Sequence, residues 1–231
     1  TDPSYISQGN SELDSEKSHA FNLSYSNFTQ KFNINLSARY SFTNNSIENV
    51  TKLMPDTEIE GLKNPTGKDV LYSTYANIGK TRYASVNGYV NWNATPRTRI
   101  YMNMSGNYSY LEGSEGMRND GWSLFAYGGA QQTLPHDWRI SLNVFGQTPW
   151  IMLQGKGSSF FDYGLSVNKS FLDKRLTLSA FASNFFKKYM DQSSTTEGSG
   201  FIRESNYKYS RQRFGISVSY RIGELKASVK K

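Results

Sequence analysis

The stretch WNATPRTRIYMNMSGNYSY, residues 92–110, decides the fold. After a proline turn, Ile100, Met102 and Met104 occupy every second position, and small polar residues such as Asn103 lie between them. A period of two is typical of a β-strand that has one apolar face and one polar face. No stretch of the chain reaches the roughly 18 consecutive apolar residues of a transmembrane helix. The stretch therefore predicts a hairpin of two amphipathic strands.

The composition favours a strand-rich chain. The 231 residues include 16 Tyr and 14 Phe, yet the mean hydropathy is −0.62. Aromatic residues favour strands, whereas Asn and Ser disfavour helix interiors. The sequence has no Cys, which excludes disulfides, thiolate metal sites and thiol nucleophiles. The net charge of +7 comes from scattered Lys and Arg, so nucleic acid is not an expected partner.

Segments of alternating apolar and polar residues recur along the whole chain. The links between them are by turns short, with the composition of tight turns, and long and polar. The short links are 28–31, 95–98, 134–137 and 172–175, and the long links are 54–70, 111–120, 149–158 and 191–200. Tight turns on one rim and long loops on the other are typical of an outer-membrane barrel. We therefore expect an all-β fold, an antiparallel up-and-down transmembrane β-barrel segment. Its nine predicted strands lie near 17–28, 31–53, 71–94, 97–111, 121–134, 138–148, 158–170, 175–190 and 201–221.

The odd number of strands indicates a partial barrel. Bacterial single-chain barrels normally have an even number of strands, and an open sheet leaves two unpaired edges. The first residues form a polar stretch without the pattern of a signal segment. We expect residues 1–231 to be the C-terminal part of a larger barrel domain, with the plug domain outside this chain. Within it we expect an extracellular loop at 1–16 and a basic tail at 222–231.

One face of the predicted strands is assigned to lipid. Alternation alone also fits the packed core of a soluble β-domain. Here, however, the polar face is rich in Asn, Ser, Thr and Arg, as a water-filled lumen would be, and aromatic residues gather near strand ends. These features favour the outer membrane of a Gram-negative cell. The side chains expected to face lipid are Ile34, Leu36, Val86, Val90, Trp92, Ile100, Met102, Met104, Ile140, Leu142, Val144, Leu165, Val167, Leu176, Leu178, Ile216 and Val218.

Three segments resemble the later barrel strands of TonB-dependent outer-membrane receptors. The segment GNSELDSEKSHAFNLSYSN (9–27) resembles the family's G-N-P-x-L-x-P-E-x-S motif and the strand after it. The segment TYANIGKTRYASVNGYVNWNATPRTRIYMNMSGNYSY (74–110) resembles its Y-x-N-x-G strand, returning strand, periplasmic turn and next strand. The ending FGISVSYRIGELKASVKK (214–231) is similar to the closing strand of Bacteroidetes-type members, with Ile222 in place of the usual Phe. In the first motif Gly9, Asn10, Leu13, Glu16 and Ser18 match, and Ser11 and Ser15 stand at the Pro positions.

The resemblance covers essentially the whole chain. It implies a barrel of about 22 strands, of which these are the last nine, with an N-terminal plug domain and a TonB box that this chain lacks. The implied function is uptake of a scarce nutrient as the barrel portion of a TonB-dependent system. The implied partners are outer-membrane lipid and lipopolysaccharide, TonB acting through the missing N-terminal region, a surface lipoprotein, and a small-molecule or glycan substrate.

No enzyme signature stands out, and we expect no catalytic residue, cofactor or metal. The only histidines, His19 and His136, lie in unrelated segments. Aromatic side chains near the long loops could stack on a flat ligand such as a sugar, although interface anchoring is the competing role for each. These candidate ligand contacts are Tyr108, Tyr110, Trp150, Phe160 and Tyr189. Two other functions stay open: a structural or adhesive outer-membrane barrel without active transport, and a soluble secreted carbohydrate-binding β-domain.

Overall fold

The computed structural model describes residues 4–222, apart from the side chain of Glu115. In this range the chain forms strands and two 3-10 turns, at Asp56–Glu58 and Ser114–Gly116, so the all-β prediction is confirmed. None of the helices in the described range is long and apolar enough to cross a membrane. Of the predicted basic tail, residues 223–231 lie outside the described residues. The strands are β1 (Tyr5–Ser7), β2 (Lys17–Phe28), β3 (Phe32–Pro55), β4 (Asp69–Thr95), β5 (Thr98–Glu112), β6 (Arg118–Leu134), β7 (Trp138–Gln147), β8 (Ile151–Met152), β9 (Gly155–Lys156), β10 (Phe160–Phe171), β11 (Leu176–Ser183), β12 (Tyr189–Gly198), β13 (Phe201–Ser210) and β14 (Arg213–Tyr220).

The main sheet is an antiparallel meander whose path contains nine strands, as the sequence predicts. Its spatial order is β14-β11-β10-β7-β6-β5-β4-β3-β2. Strands that follow one another in the chain are neighbours in the sheet, except where the β8–β9 and β12–β13 hairpins leave it. Among the described residues the sheet is open, because β2 pairs only with β3 and β14 only with β11.

The short links form tight turns on one rim. Between β2 and β3, the Thr29 N–H donates to the Phe32 carbonyl oxygen (2.8 Å), and the Phe32 N–H donates to the Thr29 hydroxyl (2.9 Å). Between β6 and β7, His136 and Asp137 both have a φ of 59°, the left-handed conformation that tight hairpin turns require. These turns fix the register of the strands that they join.

The opposite rim differs from the sequence prediction. The predicted strands 175–190 and 201–221 each break in two, and the predicted loop 191–200 is mostly strand β12. β12 and β13 pair with each other along their whole length, so they form a hairpin outside the main sheet. This hairpin is rich in Ser and Thr and has no apolar face. The alternation of apolar residues therefore could not predict it, because backbone hydrogen bonds hold it together.

A second, smaller sheet lies at this rim and is here called the cap. It has the order β13-β12-β9-β8 and includes a hairpin, β8–β9, inside the predicted loop 149–158. Thr195 of β12 pairs with Lys156 of β9 and joins the two hairpins. The predicted loop 111–120 is strand over half of its length, because β5 extends to Glu112 and β6 begins at Arg118.

The predicted N-terminal loop 1–16 also contains a short strand. β1 pairs in parallel with β4, beginning with Tyr5 beside Leu71. That edge of β4 is vacant there because the pairing of β4 with β5 ends at Lys80 and Glu112. β1 thus satisfies backbone groups that the long extension of β4 would otherwise expose.

The buried apolar side chains gather near the long-loop rim. Val50, Val70, Leu111 and Leu153 are each at most 5% exposed. Toward the tight turns, the main sheet is a single layer, and apolar side chains such as Val86 (61% exposed) project from it. Among the described residues, no second layer covers that apolar surface.

Candidate functional site

Strand register sorts the side chains of the main sheet into two faces, because directly paired residues in antiparallel strands point the same way. One row joins Ile34, Val90 and Met102, and another joins Leu142 and Leu165. When such rows are followed across the nine strands, all the predicted lipid-facing side chains lie on one face, here called the apolar face. None of these side chains is buried. The opposite surface of the main sheet is here called the polar face.

Aromatic side chains border the apolar face at both ends. Toward the long loops, the rings of Tyr108 and Trp122 lie 5.5 Å apart, and the Tyr108 hydroxyl donates to Asp120 (2.7 Å). Toward the tight turns, the rings of Phe32 and Trp92 lie 6.2 Å apart. Rings with an apolar body and a polar tip suit the boundary between an apolar and an aqueous phase.

The structure does not bring the five candidate ligand contacts together. Tyr108 and Tyr110 lie on the apolar face, where the Tyr110 hydroxyl donates to Glu112 (3.0 Å). Trp150 lies beside the β8–β9 hairpin and covers Gly157, where a Cβ would overlap the indole. Their roles as ligand contacts stay predictions.

The remaining two candidates occupy different surroundings. Tyr189 begins β12, and the ammonium groups of Lys188 and Lys208 lie 5.3 Å and 5.4 Å from its ring centroid. Phe160 is the one candidate on the polar face of the main sheet, paired with Gln147. Phe160 therefore identifies the part of the sheet where a ligand could meet aromatic and polar groups together.

A cluster of rings covers this part of the polar face and is here called the aromatic floor. The ring of Phe145 lies 5.1 Å from Phe125 and 4.8 Å from Phe160. Tyr127 lies 6.4 Å from Phe145 and 5.8 Å from Tyr101. Sequence reasoning identified only Phe160. The other four stand at polar-face positions of their own strands, but only the register between strands shows that they meet.

Gly129 leaves room for the polar edge of the aromatic floor. The Tyr101 hydroxyl donates to the side-chain oxygen of Asn143 across this glycine. A Cβ at position 129 would overlap the Leu142 carbonyl oxygen most closely, and it would lie 2.7 Å from the Tyr101 hydroxyl and 2.9 Å from the Asn143 oxygen. Any larger residue must displace one of these groups.

A charged network lies beside the aromatic floor. The Asp162 carboxylate accepts hydrogen bonds from the Arg211 guanidinium and from the Asn184 amide (2.8 Å). Arg211 also lies over the ring of Phe160, 5.6 Å from its centroid. Asn184 is only 4% exposed and occupies the point where β11 ends. The network therefore fixes the place where the chain leaves the main sheet toward the cap.

A cleft of about 410 Å³ opens between the aromatic floor and this network. Its lining includes the ring of Tyr127, the amide of Asn143 and the guanidinium of Arg213. Rings offer a stacking surface, and amide and guanidinium groups offer hydrogen-bond donors. The arrangement is suited to binding. Within residues 4–222, no group of His, Asp and Glu side chains could hold a metal ion.

The loop between β3 and β4 is held by Asp56, which is 4% exposed. Its carboxylate accepts hydrogen bonds from the Thr66 N–H (2.6 Å), the Thr66 hydroxyl (2.8 Å) and the Gly67 N–H (2.7 Å). These bonds, led by that of the Thr66 N–H, lower the pKa of Asp56. An ionised Asp56 thus orders the long loop beyond the sheet.

Comparison with models of protein families gives a match over nearly the whole chain. The model of a family described as "Outer membrane protein beta-barrel family" matches residues 1–220. No curated protein and no solved structure matches the chain. The matched range includes the main sheet and the cap.

Proposed function

This chain belongs to the outer membrane β-barrel family and resides in the outer membrane, and from that premise we propose that it forms part of the wall of a channel for nutrient uptake. The observation that carries the proposal is the division of one sheet into an apolar face and a polar face. The apolar face contacts lipid, and the polar face lines a water-filled lumen. The location in the outer membrane removes the soluble carbohydrate-binding domain from the alternatives.

The exposed apolar side chains support the lipid contact. Met102, in the middle of β5, is 43% exposed, and Ile216, in the middle of the edge strand β14, is 83% exposed. Apolar side chains would be costly in water but suit the hydrocarbon region of a bilayer. The polar face carries hydrogen-bonding groups such as Asn143 and Asn103, which require water or a polar partner.

The open sheet supports a larger barrel. An unpaired strand edge inside a bilayer leaves backbone N–H and C=O groups without partners, each at a cost of several kcal/mol. Further strands must therefore pair with the free edges of β2 and β14. We propose that other strands of the same protein do so, and that this chain forms the C-terminal part of its barrel.

The finer proposal is a TonB-dependent receptor. Its support is the resemblance of residues 9–27, 74–110 and 214–231 to that family's barrel strands. The partners would be membrane lipid and lipopolysaccharide around the barrel, TonB reached through a plug-bearing N-terminal region, and a surface lipoprotein over the cap. The solute would be a small molecule or a glycan, and no enzymatic step is proposed.

A comparison of uptake in intact cells tests this function. Wild-type cells, cells that lack the gene and cells that lack TonB activity would be grown in a defined mixture of nutrients, and the consumption of each nutrient would be measured. We expect the two mutant strains to fail on the same nutrient. Unchanged consumption together with loss of surface attachment would overturn the proposal and favour a structural or adhesive barrel.

An immunoblot tests the larger barrel separately. An antibody against residues 222–231 should detect, in the outer-membrane fraction of native cells, a protein much heavier than the 26.2 kDa of this chain. A single band near 26.2 kDa would contradict the partial barrel, and the open edges would then have to pair between chains.

A further inference from the structure

The charged side chains on the polar face are nearly all arginines. The part of the main sheet concerned extends from the tight turns up to the row that contains Thr43, Thr81 and Leu111. At polar-face positions of its strands, the charged side chains within the described residues are Arg39, Arg99, Arg139, Arg213 and Asp162. This face is therefore electropositive.

The single carboxylate does not neutralise these arginines. Asp162 is already paired with Arg211, which comes from the connection between β13 and β14. Arg99 donates from Nε to the neutral side chain of Asn91 (2.5 Å). Within residues 4–222, Arg213 and Arg139 make no side-chain hydrogen bond or ion pair. Their charges are thus available to a bound anion.

Arg213 differs from Arg39, Arg99 and Arg139 because it lines the cleft, together with the paired Asp162 and Arg211. It begins β14, pairs with Ser183 of β11 and is exposed. The same cleft presents the amide of Asn143 and the ring of Tyr127, which is 41% exposed. A cation, an amide and an open aromatic surface therefore meet in one cavity of about 410 Å³.

We propose that this cleft binds a small organic anion in which a flat ring carries a carboxylate or phosphate group. The ring stacks on Tyr127, and the anionic group pairs with the Arg213 guanidinium, which can bind two oxygens at once. Rings of basic side chains select anions in other membrane pores. The inference rests on the proposed function in one respect: the polar face must be open to the solute.

Arginine labelling tests the proposal on the purified full-length protein in detergent. Phenylglyoxal modifies accessible guanidinium groups, and mass spectrometry reports the labelling rate of each arginine. The probes are benzoate and phenyl phosphate, with neutral benzamide and cationic benzylamine as controls. At a probe concentration about ten times its dissociation constant, labelling of Arg213 should slow about tenfold. The rate at Arg97, in the tight turn after β4, should not change.

Arg139 is the control for general electrostatic attraction, because it lies on the polar face but does not line the cleft. Equal slowing at Arg139 and Arg213, or equal protection by benzoate and benzamide, would overturn the proposal. Two variants extend the test. Tyr127→Leu should remove most of the protection by benzoate while the labelling rate without probe stays the same. If that variant does not fold, Asn143→Ala should weaken the protection as well.

The two proposals can fail separately. Labelling is measured on purified protein and needs neither TonB nor net transport. Absence of protection in a protein that still supports uptake in cells would overturn only the anion site. Stronger protection by phenyl phosphate than by benzoate identifies a phosphate ligand, and the reverse order identifies a carboxylate ligand.

Discussion

Gln154 and Thr51 pair as if they belonged to adjacent strands, although 103 positions separate them in the sequence. The Thr51 N–H donates to the Gln154 side-chain oxygen (2.7 Å), and the Gln154 side-chain nitrogen donates to the Thr51 carbonyl oxygen (2.9 Å). The Gln154 backbone oxygen also accepts from the Glu197 N–H (2.6 Å). One residue in the β8–β9 turn therefore joins the β8–β9 hairpin both to β3 of the main sheet and to β12 of the cap.

Removal of this side chain should loosen the cap. Thr51 is 5% exposed, so Gln154→Ala leaves a buried N–H and a buried carbonyl group without their partner. We expect the local free energy of opening to fall by about 1–3 kcal/mol, measured by hydrogen exchange at the Thr51 amide. Gln192→Ala in β12 is the control and should change little. An unchanged exchange rate in Gln154→Ala would show that water replaces the side chain at no cost.

The same substitution should reduce the stability of the barrel much more on the apolar face than on the polar face. Met102 lies on the apolar face and Asn103 on the polar face of the same strand. Near the membrane midplane, Met102→Arg should destabilise the barrel by about 2–4 kcal/mol, whereas Asn103→Arg should cost little. Urea unfolding of the protein in lipid vesicles measures both values. Similar losses at the two positions would contradict the assignment of faces.

Photoactivatable acyl chains should label one face only. In vesicles that contain diazirine lipids, covalent adducts mapped by mass spectrometry should occur at Trp92 and Val86 on the apolar face. Tyr89, which lies between them on the polar face, should remain unlabelled. Trp150 beside the β8–β9 hairpin should remain unlabelled as well. Labelling of Tyr89 at the level of Trp92 would contradict a lumen on that side.

Acid should release the loop that Asp56 holds. The folded protein lowers the pKa of this carboxyl below its ordinary value of 3.8, so the stabilisation is complete above that value. It is lost as the pH falls through the lower, folded-state pKa. The hydrogen-exchange protection factors of the Thr66 and Gly67 amides should follow this course. In Asp56→Asn they should be low and independent of pH, because the amide accepts through only one oxygen.

The aromatic floor should depend on the glycine at position 129. Gly129→Ala places a methyl group against the Leu142 carbonyl oxygen and near the Tyr101 hydroxyl and the Asn143 oxygen, so we expect a loss of about 1–3 kcal/mol in unfolding free energy. Gly164→Ala is the matched control, because its Cβ would approach only to 3.4 Å of the Ser183 hydroxyl. Equal stability of the two variants would contradict the close packing at Gly129.

The local periodicity of the sequence was sufficient to predict the strands of the main sheet. The sequence by itself determined that the main sheet has nine antiparallel strands, their order along the chain, the tight turns on one rim and the membership of each face, but not the bounds of the last two strands. The physical reason is that successive side chains of a strand point to opposite faces, so a surface that must be apolar leaves a period of two in the chain. Ile34, Met102 and Val218 carry that pattern without reference to any partner.

The cap and the cleft were decided by tertiary structure. Ser193 and Thr195 belong to a strand whose hairpin is held by backbone hydrogen bonds. The sequence of this hairpin therefore shows no alternation of apolar residues from which the strand could be predicted. Asp162 and Arg211 lie 49 positions apart and meet only because β10, β11 and β14 are in register and the chain bends after β11. Polar contacts of this kind are specific pairings between distant positions, so no repeating pattern along the sequence records them.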